Sequence, residues 1–542
     1  MAVDYLSSLN VGSGLNSNEI IDALVEAERA PRASEINSAK EKRTVEISSL
    51  GQIKQGFETF DTGLAPVEEI TGLSVTTSSG SAIDVKISDA KLATNFSHSM
   101  EVTTVAAGQT LVFGGYSSET ASTGTGTLAF SFGTWNSDNS FTANSDRAAV
   151  NVQLATGEGT LADLRDAINT ADMNVTASIL KTGDSTYALV LKAREGAAHA
   201  MRITATEDTG AAGLANFAYT TPNNSVQTIA AADASFDLDG VTITRETNEV
   251  TDLIKGVTLT VKSTTSAAET ISGTYDASLA EAAMKVMVDQ INTINTTLRD
   301  LSKRGAAGED DGPLAGDAYV MMLRRQLRSY TTTPVTGFGD SSIYLTDFGV
   351  TTNRDGSLSL DSTKFQTTFS ANPDAFTAMT TSRITTGSEL VTATVAGTYP
   401  KEGVYTFDIA SDNSATLNGS AMTVSGSNYT ISGHDAGGLQ LTITSGGADT
   451  SIYVGKSLFE SLNDFSRDVL ASSSDLQTKI TNYNDDLSEY DEDLAALDES
   501  IERLRLRHEA QFAAMNAAVA SLKETEKTLD NMMEAWKGGM KN

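Results

Sequence analysis

The chain has 542 residues, too many for one hydrophobic core, so three or more domains are expected. Its 70 acidic against 38 basic residues give a net charge of −32, which disfavours phosphate backbones and anionic lipid heads as partners. With no cysteine it has no disulfide framework, no thiolate metal site and no thiol redox chemistry.

The first residues, MAVDYLSSLNVGSGLNSNEI, lack the charged start and apolar run of a secretory signal peptide. No window reaches the roughly 18 apolar residues of a membrane span, so no membrane insertion is expected. If the chain leaves the cell, it is expected to do so without a cleaved signal peptide.

Residues 16–29 read as a short amphipathic helix. Asn16 and Glu19 have capping-box spacing, and Ile20, Ile21, Leu24 and Val25 form an apolar stripe. Pro31 is predicted to interrupt it, and a longer helix is predicted from about 33 to 71, ended by Gly72. From Val75 the period changes to two, with strands predicted at 82–88 and 99–105. Residues 110–148 are strand-like and weakly patterned. Residues 149–206 read as strand, helix (161–169), then two strands. The stretch 234–262 is strand and turn, with Asp239-Gly240 as a hairpin signal. Helices are predicted at 278–303 and 317–329, a tight turn at Arg354-Asp355-Gly356, a further β-segment at 383–454, and helix from about 457 to 537. TLNGSAMTV in the late β-segment loosely echoes DLDGVTITR in the earlier one.

Both ends carry heptad seams. Ile36, Leu50, Phe57 and Leu64 share one position; Ala39, Ile53, Phe60 and Val67 share another. Near the C-terminus the spacing alternates four and three through Leu476, Ile480, Tyr483, Leu487, Tyr490, Leu494, Leu497, Ile501 and Leu504. The register is predicted to continue at Met515, Leu522, Leu529 and Trp536. Such seams need a partner helix, and the simplest partner for each end is the other end or its copy.

Candidate chemistry is sparse. His98, His199, His434 and His508 lie far apart and read as surface or boundary residues, with His508 placed to fix coiled-coil alignment. The Gly-Glu-Asp-Asp-Gly loop at 308–312 reads as a solvated connector, because it lacks the ligand order of a calcium loop. No catalytic residue, metal site or cofactor is expected. The acids Asp485, Asp486, Glu489, Asp491, Glu492, Asp493, Asp498 and Glu499 precede Arg503, Arg505 and Arg507. This run is either a solvated face or a staggered electrostatic match between helices.

Six blocks carry a family resemblance. VGSGLNSNEIIDALVEAERAP (11–31) looks like the N-terminal signature of flagellar filament-capping proteins, the type-2 hook-associated proteins. NFSHSMEVTTVAAGQTLV (95–112), FDLDGVTITRETNEVTDLIKGVTLTV (236–261), DFGVTTNRDGSLSLDSTKF (347–365) and RHEAQFAAMNAAVASLKE (507–524) resemble later blocks of that family in order. VNVQLATGEGTLADLRDAINTADMNVTASIL (150–180) resembles the IN motif of flagellins and hook proteins. Residues 383–454 stand as an additional β-module, and 113–148 match nothing firmly.

The expected fold is α+β and multidomain: a helical coiled-coil body and legs from the terminal segments, with inserted β-rich domains. The expected units are a terminal leg (1–32), a helical body (33–74, 276–382, 455–505), a β-rich domain (75–108, 226–275), a second with the IN-type motif (109–225), the module 383–454, and a C-terminal leg (506–542). The assembly seam is assigned to Ile36, Leu50, Ile53, Phe57, Phe60, Leu64, Leu487, Leu494, Leu497, Ile501 and Leu504. The filament-contacting legs are assigned to Leu15, Ile20, Leu24, Met515, Leu522, Leu529 and Trp536. The resemblance implies an extracellular cap at the distal tip of the flagellum, promoting folding and insertion of exported flagellin. It implies as partners its own copies in a ring (by analogy a pentamer), flagellin, hook–filament junction proteins, the flagellar type III export apparatus and a cognate chaperone. Long helices with exposed seams also imply frayed ends (1–30 and 510–542) in the free chain. Alternative readings are another axial protein (flagellin or a junction protein), or an adhesin binding host glycans through the β-modules.

Overall fold

A computed structural model describes residues 16–539, apart from 79, 306–309, 434 and 445–448, with the side chains of 538 and 539 also outside the description. Leu15, His434 and part of the 308–312 loop therefore lie outside the described residues.

Eight α-helices are described: α1 (Ser17–Leu64), α2 (Leu161–Thr170), α3 (Ala277–Ser302), α4 (Ala318–Thr332), α5 (Ser362–Ala371), α6 (Thr377–Thr380), α7 (Leu458–Leu470) and α8 (Asp475–Gly539). Local chemistry starts several of them. Asp276, Asp317 and Asp361 each accept hydrogen bonds from the first free amides of α3, α4 and α5, and Ser457 does so for α7. Thr160 and Asp163 form a complete capping box at α2.

Four larger cores follow. The helical one is built from Leu50 to Val67 of the first helical stretch, Ala280 to Met379, and Leu458 to Leu476. A β-core joins residues 73–102 to 236–271, under a five-stranded antiparallel sheet and a three-stranded one. A second, between two four-stranded sheets, spans Leu111 to Tyr219 and includes Leu161, Leu164 and Ile168 of α2. A third spans Val391 to Val454, again between two sheets. The fold is thus α+β, with helical terminal segments and β-rich insertions.

The hairpin at Asp239-Gly240 forms as the sequence indicates, with φ of 51° and 83° at the two turn residues. Asn418-Gly419 makes the same left-handed pair, at 48° and 76°. Three expectations need correction. Pro31 lies inside α1 and does not break it; its missing amide loses one bond, while packing on α8 continues on both sides. Asn16 caps no amide with its side chain; only its carbonyl is engaged, by Ile20 N. Three strands, not two, follow α2: Val175–Gly183, Thr186–Glu195 and Ala200–Glu207.

The 383–454 module is seated on the helical body by close polar contacts. Arg383 donates to both carboxylate oxygens of Asp374 (2.7 and 2.6 Å), and Tyr453 donates to Asp340 at 2.8 Å. Gly337 has φ +83°, and a Cβ there would lie 1.9 Å from the Val454 carbonyl oxygen. G337A is therefore expected to cost at least about 1–2 kcal/mol and to raise hydrogen exchange at residues 450–455. The hydrogen bonds from Arg383 hold the Asp374 carboxyl below its ordinary value, against the opposing effect of burial. A lowered folded-state pKa means that this contribution is complete above the ordinary carboxylate value and disappears as pH falls through the lowered one. Wild-type and D374N chains should therefore differ in melting temperature near neutral pH and converge as pH falls from about 7 to about 2.

Candidate assembly site

The two chain ends form one antiparallel helix pair. Going down α1 and up α8, Asn516 Nδ2 donates to Ser17 Oγ (3.3 Å), Arg505 pairs with Asp22, Arg29 with Asp498 (2.8 Å), Lys40 with Asp491, and Arg43 with Asp486 (2.9 Å). Each step toward higher numbers on α1 meets a lower number on α8. The acidic run is thus split: Asp486, Asp491 and Asp498 match cations across the pair, while Asp485, Glu489, Glu492 and Asp493 stay exposed.

Along this pair the seam has three zones. At its far end Ile21, Val25 and Ala33 bury against Leu497 and Ile501, with Ile36, Leu494, Leu504 and Phe512 at the margin. Near the body, Leu50, Ile53, Phe57, Phe60 and Leu64 are 0–1% exposed in the main helical core. Between them lies a polar layer. Arg43 stacks over Tyr483 (4.0 Å to the ring centroid) and bonds Glu46 at 2.5 Å. Burial opposes its charge, but Glu46 and Asp486 outweigh that and raise its pKa. Leu487 is half-buried beside this zone. Arg43 and Glu46 occupy the heptad positions between Ile36 and Leu50 and between Ala39 and Ile53, so a gap in the apolar repeat was their signal.

The leg residues divide. On α1, Ile21 and Val25 face α8, Ile20 is half-buried and Leu24 is 45% exposed. Ser17–Val25 is thus helical, with Ile21 and Val25 packed beside Leu497 and Ile501. On α8 the strict heptad does not hold. Met515 is 39% exposed, whereas Asn516 is 4% exposed and points into the pair. A helix that does not supercoil drifts about 20° per heptad, which carries Met515 outward and brings Phe512 and Asn516 in. Asn516, not His508, is the buried polar contact between helices; His508 Nδ1 meets Gln511 of its own helix at 3.3 Å. Leu522, Leu529 and Trp536 are 68%, 58% and 67% exposed.

Of the other histidines, His98 bonds Asp239 at 2.6 Å near the surface. His199 is buried, a correction, because the β-domain contact encloses it with Glu246 and Arg147. Among the described residues no helix is long and apolar enough to cross a membrane, and no group of three or more His, Asp or Glu is placed to hold a metal.

A rod made by pairing the two chain ends, bearing β-domains on its helical body and ending in an exposed apolar stripe, defines an assembly protein. Two family models match: "Flagellar hook-associated protein 2 C-terminus" over residues 231–524 and "Flagellar hook-associated protein 2 N-terminus" over 13–109. The chain belongs to the flagellar hook-associated protein 2 family. It is similar to the flagellar hook-associated protein 2 of Escherichia coli K12, 27% identical over 371 residues, covering 66% of this chain and 76% of the relative. It is also similar to the A-type protein of Pseudomonas aeruginosa, 28% identical over 381 residues, covering 65% and 75%. In fold it matches the crystal structure of the flagellar cap protein FliD D1-D2-D3 domains from Escherichia coli, with TM-score 0.54 and 20% identity, covering 80% of this chain and 99% of that one.

Proposed function

We propose that this chain works as one subunit of a ring, five copies by family analogy, that caps the growing flagellar filament. Its family makes it a flagellar filament cap protein, an extracellular structural component at the filament tip. The observation that carries the mechanical reading is the α1–α8 pair: packed near the body, interrupted by the Arg43 layer, and ending in exposed Leu522, Leu529 and Trp536. The body and β-domains form the cap, and the distal part of α8 is the leg that grips the outermost flagellin subunits. A leg that must release and rebind suits a modest apolar stripe better than a large permanent interface. Flagellin folds beneath the cap and inserts as the leg moves to the next site. The protein acts by assembly and not by catalysis. Its further partners are the hook–filament junction proteins, the flagellar type III export apparatus and an export chaperone.

Deletion is the test. A strain lacking this chain should shed flagellin monomers into the medium and build no filament, and added purified protein should restore growth. Labelled antibody should stain the distal tip. Normal filaments in the deletion strain, or staining along the shaft, would remove this reading.

A further inference from the structure

The helical body carries a cationic cavity that the fold does not use. A cavity of about 380 Å³ opens between α4 and the turn at residues 354–356, and Arg324, Arg325, Arg328 and Arg354 converge on it. In a chain with 70 acidic and 38 basic residues, a basic side chain meets carboxylates readily. Yet among the described residues none of these four guanidinium groups has a carboxylate within ion-pair distance; Arg324 donates only to Ser302 Oγ, at 3.2 Å. Asp355 also lines the cavity, but its carboxylate is taken by Ser357 Oγ (2.7 Å) and by Arg299 (3.7 Å). Arg324 and Arg328 stand one turn apart on α4, an arrangement of like charges that opposes the helix unless an anion relieves it.

The matching surface lies on α8. Asp485, Glu489 and Glu492 are exposed, fall at i, i+4 and i+7 on one helix face, and pair with no cation among the described residues. They present a carboxylate stripe about 10 Å long, which covers the roughly 6 Å over which Arg324, Arg325 and Arg328 lie along α4. No ion pair joins the two patches within the chain. We propose that the arginine cavity of one copy receives the Asp485–Glu489–Glu492 face of α8 from a second copy. Planar guanidinium groups grip carboxylates in pairs, which sets orientation as well as attraction. Two different patches make a head-to-tail contact, the kind that closes into a ring when the rotation permits. The contact rests on the ring reading above and supplies its subunit interface. At a net charge of −32 the copies repel at long range, so a cationic patch is what lets an acidic surface of another copy approach.

The absence of native cysteine makes the test direct. Full-length R325C and E489C chains, each with one thiol, are mixed under mild oxidation. A disulfide-linked heterodimer, formed faster than by a pair with E489C replaced by the control K54C, is the expected result. In parallel, the oligomer mass of wild type, R325E/R328E and D485R/E489R is measured by light scattering. Each double variant should lose the oligomer at least tenfold in apparent affinity, and the chain carrying all four substitutions, R325E/R328E/D485R/E489R, which restores opposite charges at every contact, should recover it. Unchanged helicity and melting temperature establish that both variants fold. An oligomer unaffected by either variant overturns this contact and leaves the ring reading standing. A wild-type chain that stays monomeric at all concentrations overturns both. A normal oligomer in R325E/R328E that no longer binds filament ends assigns the cavity to a different acidic protein and overturns the pairing of copies.

Discussion

Truncating Phe57 to alanine is expected to cost the helical body about 3–5 kcal/mol. Its ring is 0% exposed, meets Phe465 edge-on at a centroid distance of 5.2 Å, and meets Phe60 at 6.3 Å. Its carbonyl accepts from Ser466 Oγ at 3.2 Å. One side chain thus joins α1 to α7, segments about 400 residues apart in sequence, and its truncation leaves a cavity in a close-packed core. The chain has several cores, so hydrogen exchange resolved by segment is the measurement that localises the effect to one of them. Exchange should rise across α1 and α7. In F407A, whose ring belongs to the separate core of the 383–454 module, it should rise there and leave both helices protected. Equal protection of α1 in F57A and wild type would show that the ring does not hold the body together.

The second large effect is expected on assembly, with stability untouched. L522Q/L529Q/W536Q should unfold as wild type does, because the three side chains are 68%, 58% and 67% exposed and glutamine is a good helix former. Each large apolar side chain buried against a partner contributes about 1.5–3 kcal/mol. Losing three contacts should therefore weaken binding to filament ends at least tenfold, which needs only about 1.4 kcal/mol. Added to a deletion strain, the triple variant should fail to restore filament growth. Growth at the wild-type rate would remove the leg assignment from these residues.

Much of the architecture was legible because it rests on local chemistry. Periodicities of two and of seven marked where helix and strand alternate, and Asp239-Gly240 formed the turn its two residues require. Features that depend on a distant partner were not. Pro31 read as a break because the cost of a lost hydrogen bond is visible locally, whereas the packing of Ile21, Val25, Ala33 and Ile36 on α8 is not. Ile20 and Leu24 looked equivalent to Ile21 and Val25, since four apolar residues on two turns do not say which pair meets the partner. His199 had no local signal for its burial, which comes from the contact between β-domains.

By itself the sequence determined the classes of element, the order of the family blocks, and that both chain ends need a helical partner, since each of these follows from side-chain periodicity along one segment. Only the tertiary structure decided that the partner is the opposite end of the same chain, in antiparallel register set by Asn516, Asp498 and Asp486. It also decided which seam residues turn inward, because the 3.6-residue helical period drifts against a strict heptad and moves Met515 to the surface. The arginine cavity belongs to the same category: Arg324 and Arg354 are thirty residues apart, and only the packing of α4 beside the 354–356 turn brings them together.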